Sequence, residues 1–282
     1  MPDGTGSIAL SAQNGRIQSR TKRAGVCETS RLGGASPALS RDGDSPGMGL
    51  VCAKRLARAG ANVVVCDVDA DALESAVREI RAEGGAVEPC VADVRVFADA
   101  ERAAALAVEK FGGIDILIPF AGGNEARCCG TKGIPFYRQP VETIDWGIDV
   151  NLRGPVYFAR ACMPHMIEAK KGVICLVGSV MGIEADPIGA MYGAAKCGLS
   201  NFVKSLALAG GPHGVRAVCV SPGPVLTRPG MATMLTALGR AAAPDELVDV
   251  ILYLCGDGAS FVTGVNILAD GGRMCLPGPY GT

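Results

Sequence analysis

The chain has 282 residues, of which 49% are hydrophobic and 20% charged, so it can bury a sizeable core. A net charge of −1 leaves no basic excess to suggest a nucleic-acid or acidic-membrane partner, and none is expected. No apolar run approaches the roughly 18 residues of a membrane-spanning helix, so a cytoplasmic protein with no membrane partner is expected. The twelve cysteines are scattered. Runs such as Val63-Val64-Val65-Cys66 and Ile174-Cys175-Leu176-Val177 make them small buried hydrophobes of a reduced compartment. Cys128-Cys129 is adjacent rather than spaced as CxxC, and the histidines are His165 and His213, so no metal site is expected.

Residues 1–35 are rich in Ser, Gly and Arg and have neither helical nor strand period, which reads as a disordered or atypical extension. The stretch is basic and poor in acids, as transit peptides are, but it lacks an amphipathic helix. From residue 36 strands and helices alternate. Ser36–Arg41 is a weak first strand containing Pro37. Leu50–Gly60 has a helical pattern, Ala61–Asp67 is a buried strand ending in an acid, and Ala70–Glu83 is helical. Val87–Val91 is a strand, Ala98–Phe111 a helix and Ile114–Ile118 a strand. Val141–Lys170 holds a long helix with a break near Gly154-Pro155. Val173–Val177 is a strand, and a helix follows over Met191–Ala209. Val215–Val220, Pro244–Cys255 and Val265–Leu268 complete the series as strand, helix and strand. Such alternation predicts one α/β domain over residues 36–275: a Rossmann-like, doubly wound parallel sheet with helices on both faces, and a tail at 276–282. In such sheets ligands sit beyond the carboxyl ends of the strands.

Two groups of residues fall at those ends. Gly43, Gly47 and Gly49 precede a helix, where glycine lets backbone amides approach a pyrophosphate. Asp67 ends the second strand, where a carboxylate accepts hydrogen bonds from a ribose diol and repels a 2′-phosphate; NAD is therefore favoured over NADP. Further on, Tyr192 and Lys196 are four apart in a helix, so their side chains share a face. An ammonium beside a phenol favours the phenolate and lowers its pKa from about 10. Such a pair suits proton transfer to or from an alcohol oxygen.

In order and spacing these features resemble a classical short-chain dehydrogenase/reductase over roughly residues 36–275. The resemblance rests on the glycine loop, Asp67, Asp93-Val94, Ala121-Gly122, Asn151, Ser179, Tyr192-x-x-x-Lys196, Pro222-Gly223, Thr227 and Asp270-Gly271-Gly272. It implies that Tyr192 is the proton donor or acceptor and that Ser179 orients the substrate oxygen. Lys196 binds the nicotinamide ribose and lowers the Tyr192 pKa, and Asn151 holds a relay water. Gly43, Gly47, Met48, Gly49, Asp67, Asp93, Val94, Ala121, Gly122, Pro222, Gly223, Val225 and Thr227 then contact NAD, as do Tyr192 and Lys196. The family usually forms homotetramers, and a homodimer is the alternative.

The chain departs from the family at Asp42, where Thr is usual, at Pro119-Phe120, where Asn-Asn is usual, and at Val218, where Asn is frequent. All three changes leave the catalytic residues intact. The expected reaction interconverts a small-molecule secondary alcohol and ketone. A 3-oxoacyl thioester reductase and an alcohol, sugar or steroid dehydrogenase remain open, as does a catalytically weak cofactor-binding scaffold or sensor. Substrate contacts are expected from residues 123–140, from Val180–Met191 and from the segment after Thr227. Met181, Ile183, Ile188, Met191, Pro224, Met231 and Met234 make that pocket apolar, while Arg127, Lys132 and Arg138 either meet an acidic substrate group or, the preferred reading, belong to a solvated loop.

Overall fold

The computed structural model describes residues 24–28, 41–42 and 45–276. Among them, seven parallel strands form one sheet: β1 (Ala24–Glu28), β2 (Asn62–Asp67), β3 (Val87–Val91), β4 (Ile116–Pro119), β5 (Gly172–Val177), β6 (Val215–Pro222) and β7 (Val265–Ala269). Their order is β3-β2-β1-β4-β5-β6-β7. The winding reverses between β1 and β4, which opens a crevice at the carboxyl ends of those strands.

The helices are α1 (Met48–Arg58), α2 (Ala70–Ala82), α3 (Phe97–Phe111), α4 (Glu125–Cys128), α5 (Val141–Ile148), α6 (Gly154–Glu168), α7 (Ala190–Gly210) and α8 (Pro244–Cys255). The period of two along each strand divides the core between the two faces. Val63, Val65, Ile116 and Ile118 pack with Leu56, Ile80 and Ile251 from α1, α2 and α8. Val64, Cys66, Leu117 and Ile174 pack on the other face with Ala103, Phe158 and Leu199 from α3, α6 and α7. Both faces are covered, which is why the strands read as continuous apolar runs. Cys52, Cys66, Cys90, Cys128, Cys162, Cys175, Cys219 and Cys255 are buried.

The first strand is not where the sequence pattern puts it. Ala24–Glu28 fills the central slot, pairing with Asn62–Cys66 on one side and Ile116–Pro119 on the other. These five residues therefore belong to the sheet and not to an extension. A slot with neighbours on both sides needs backbone N–H groups on both edges, which the proline-free Ala24–Glu28 supplies and a segment containing Pro37 does not. Residues 36–40 lie outside the described residues, while Arg41–Asp42 forms a short antiparallel ribbon with Ser45–Pro46. The chain thus runs from Glu28 to Met48 between β1 and α1, much farther than a tight glycine turn.

The long helix expected over 141–170 is interrupted as anticipated, by a wide π turn over Asp149–Arg153 between α5 and α6. Such bulges recur at functional sites because they turn a side chain away from the regular helical spiral. The side chain redirected here is that of Asn151.

Candidate active site

Ser179 follows β5 and opens a short turn, its Oγ accepting a hydrogen bond from the Met181 amide at 3.1 Å. Tyr192 lies in the first turn of α7, and Lys196 lies one turn later on the same face. Ser179 and Tyr192 line the same cavity, and the Ser179 hydroxyl pulls the Tyr192 pKa downward. The Lys196 ammonium sits over the Tyr192 ring, 5.6 Å from its centroid, and donates to the Val177 carbonyl oxygen at 2.7 Å. Lys196 is buried, at 4% exposure.

Asn151 is wholly buried and forms the floor. Its Nδ2 donates to the carbonyl oxygens of Gly123 at 3.0 Å and Gly147 at 2.9 Å, and its Oδ1 accepts from the Gly123 amide at 2.8 Å. Gly122 has φ +149°, and a Cβ built there would lie 2.5 Å from Asn151 Oδ1 and 3.5 Å from Lys196 Nζ. Only glycine lets the chain pass that close beneath the lysine.

Removal of the phenol from bulk water raises its pKa above the ordinary 10.0, against the lowering pull of Ser179, Arg228 and Arg127. The net direction is upward because burial outweighs these neighbours, while the lysine head is held at the Val177 carbonyl.

These side chains open onto a cavity of about 510 Å³ that begins at Gly47 and Met48. It passes Phe120, Gly122, Ser179, Tyr192 and Lys196 and reaches Pro222, Gly223, Val225 and Thr227. Asn151 lies beneath that surface, with Ala121 buried beside it. The residues expected at the nicotinamide end are therefore gathered in one place, and the glycine-walled space beside Lys196 fits a flat ring and its ribose.

The adenosine end differs. Asp67 is fully buried, its Oδ1 accepting from the Asp69 amide at 3.0 Å, and it does not line the cavity. Asp93 is held in a fork by Arg95, with contacts of 2.6 to 3.1 Å. Burial raises the Asp93 carboxyl pKa, but the hydrogen bonds and charge of Arg95 outweigh it and keep the group below the usual range. Val94 is buried against Gly154, and Gly49 is buried within α1. Gly43 lies outside the described residues.

The walls are less apolar than expected. Met181, Pro224, Met231 and Met234 do line the cavity, but Ile183 and Ile188 are exposed and do not. Arg127, Glu184, Asp186, Arg228 and Arg273 line it as well. Glu184 and Arg273 form an ion pair of 2.8 Å across the mouth, joining the loop after Ser179 to the end of the described chain. Of the three cations in the 123–140 segment, Arg127 reaches the cavity, whereas Lys132 and Arg138 are exposed on the loop outside it.

Sequence reasoning missed Glu125, which is 3% exposed and contacts the backbone of α7. Asn124 before it is a recognisable N-cap, and its side chain does cap α4 through the Arg127 amide at 3.1 Å. No local signal indicates that Glu125 reaches a second helix.

Residues 43–273 match the family model described as enoyl-(acyl carrier protein) reductase. Among curated proteins, the chain is 32% identical over 260 residues to the uncharacterized oxidoreductase YxbG of Bacillus subtilis, covering 84% of this chain and 90% of that one. It is also 32% identical over 241 residues to the 3-oxoacyl-(acyl-carrier-protein) reductase FabG of Thermotoga maritima, covering 82% and 95% respectively. The solved structure of gox2181 superposes with a TM-score of 0.79 at 29% identity, over 93% of this chain and 98% of that one. A 7α-hydroxysteroid dehydrogenase solved with NADH and 7-oxo glycochenodeoxycholic acid shares the fold, with a TM-score of 0.76 at 24% identity over 91% and 96%.

The doubly wound sheet and the family match define an oxidoreductase that works with a nicotinamide cofactor. The chain belongs to the short-chain dehydrogenase/reductase family. No helix among the described residues is long and apolar enough to cross a membrane.

Proposed function

We propose that the chain interconverts a secondary alcohol and a ketone, with NAD(H) as the preferred cofactor and Tyr192 as the acid/base. The observation that carries this reading is the convergence of Ser179, Tyr192 and Lys196 on one cavity lined by Gly122, with Asn151 bracing the backbone beneath it. When bound, the nicotinamide supplies or accepts the hydride. In reduction, Ser179 orients the carbonyl oxygen and Tyr192 gives it a proton; in oxidation, the phenolate of Tyr192 takes that proton back. Lys196 holds the nicotinamide ribose and provides positive charge beneath the reacting oxygen. Asn151 fixes the Gly122–Gly123 backbone over which the cofactor lies.

Arg127 and Arg228 approach the cavity from different segments, and both pull the Tyr192 pKa downward across it. These two cations, in a wall that Glu184 and Asp186 also share, make an anionic group beside the carbonyl the substrate feature to test. The preference for NAD over NADP rests on Asp67 at the end of β2, although that residue must be uncovered before a ribose can reach it. A homotetramer in the cytoplasm belongs to the same reading, on family likeness.

The test is a panel of neutral ketones, keto acids and their alcohols, run with NADH and NADPH, or NAD and NADP, in parallel. The expected result is turnover with NADH at least about 10-fold more efficient than with NADPH, a difference of roughly 1.4 kcal/mol. Arg228→Met is expected to raise KM for keto acids about 10-fold and to leave neutral ketones unchanged. Tight NADH binding without turnover anywhere on the panel would instead favour a cofactor-binding scaffold.

A further inference from the structure

We infer that Glu125 is a positioning residue for the reaction, acting as a substitute N-cap that fixes the backbone of Tyr192. This inference rests on Tyr192 being the acid/base. The first amides of a helix have no partners within it, and an N-cap side chain usually accepts from them. α7 has no such side chain, because its N-cap is Gly189. A side chain there would also have to displace the Asn124–Asp186 contact. A Cβ on Gly189 would lie 2.1 Å from Asn124 Nδ2 and 2.9 Å from Asp186 Oδ2.

Glu125 takes over the task from 66 positions away, its Oε1 accepting from the Met191 amide at 2.9 Å. Its Oε2 accepts from the amide of Tyr192 itself at 3.0 Å. The carboxylate is buried at the helix end where the aligned peptide dipoles favour negative charge.

The connection continues on both sides. Asn124 caps α4, which contains Glu125, and its Nδ2 also donates to Asp186 Oδ2 at 3.2 Å. Gly123, the preceding residue, is held by the side chain of Asn151. One short segment thus links the floor of the cavity, the loop after Ser179 and the backbone of Tyr192. The phenol projects from the end of α7 that Glu125 holds, so a small tilt of that end displaces the hydroxyl from the substrate oxygen. Misplacement on the order of 1 Å is enough to slow a reaction about 100-fold.

The test compares Glu125→Ala, the isosteric Glu125→Gln and Tyr192→Phe in the full-length chain, each below its unfolding temperature. Glu125→Ala is expected to lower kcat about 10- to 100-fold while KM for substrate and cofactor stays within about 3-fold. Glu125→Gln keeps one accepting oxygen and sets an NH2 against the second amide, so its loss should be intermediate. It also carries the comparison if the alanine variant does not fold. Without cofactor, the phenolate absorbance of Tyr192 should titrate at lower pH in Glu125→Ala, because a loosened helix end admits water around the phenol. A kcat within about 2-fold of wild type in the folded variants, or a loss confined to KM, overturns the inference. If Tyr192→Phe itself retains turnover, the acid/base reading fails. If Tyr192→Phe is inactive and both Glu125 variants are not impaired, only the role of Glu125 fails.

Discussion

Replacing Tyr192 by phenylalanine is expected to lower kcat about 1,000-fold, with KM nearly unchanged, because positioned proton transfer contributes on the order of 10²–10⁴-fold. The change removes one oxygen and leaves the ring, so the contact under the Lys196 ammonium survives. Cofactor binding, followed by NADH fluorescence, should persist while turnover is lost. The same variant isolates the Tyr192 titration. Burial holds this phenol above 10.0, with Ser179, Arg228 and Arg127 pulling the other way. The difference in phenolate absorbance between wild type and Tyr192→Phe, without cofactor, should therefore develop above pH 10. A raised pKa keeps the acid form present up to that pH, so it supports reduction through neutral pH, and the proton is lost only as pH rises past the folded-state value. A transition centred below pH 8 would show that the lysine, not burial, governs the free protein.

Lys196→Met should separate activity from stability. The ammonium is 4% exposed and donates to the Val177 carbonyl oxygen at 2.7 Å. A buried charge is expensive to desolvate, and well-packed apolar replacements of such groups are often neutral or stabilising. Methionine preserves much of the stem volume and removes the charge. We expect kcat/KM to fall about 100-fold or more, with weaker NADH binding, while the thermal midpoint stays level or rises. Measuring both in one preparation decides the matter. A large drop in midpoint together with retained activity would mean that the lysine is a structural group and not part of the chemistry.

Most elements were legible in the sequence because their signals are local. α8 begins at Pro244 and ends at Cys255 where its periodicity does, and α7 extends the predicted span by one residue at each end. Tyr192 and Lys196 were read from their four-residue spacing, Ser179 and Asn151 from the resemblance to the family, and the four lie together at the carboxyl ends of the strands. The residues that escaped notice act through non-local contacts. Glu125 reaches 66 and 67 positions along the chain to Met191 and Tyr192, and Arg273 reaches back to Glu184 across 89. A carboxylate in a loop looks the same in sequence whether it is solvated or caps a distant helix.

The sequence by itself determined the alternation of strands and helices, the parallel sheet and the shared helix face of Tyr192 and Lys196. Those follow from a period of two, a period of 3.6 and four-residue spacing, which are properties of neighbours along the chain. Tertiary structure alone decided which segment became the central strand. Ala24–Glu28 has little pattern of its own, but the edges of β2 and β4 demand a partner on each side, and pairing context overrides weak local preference. It also set the surroundings of Tyr192: four-residue spacing puts an ammonium near the phenol, whereas the burial that raises its pKa comes from segments distant along the chain.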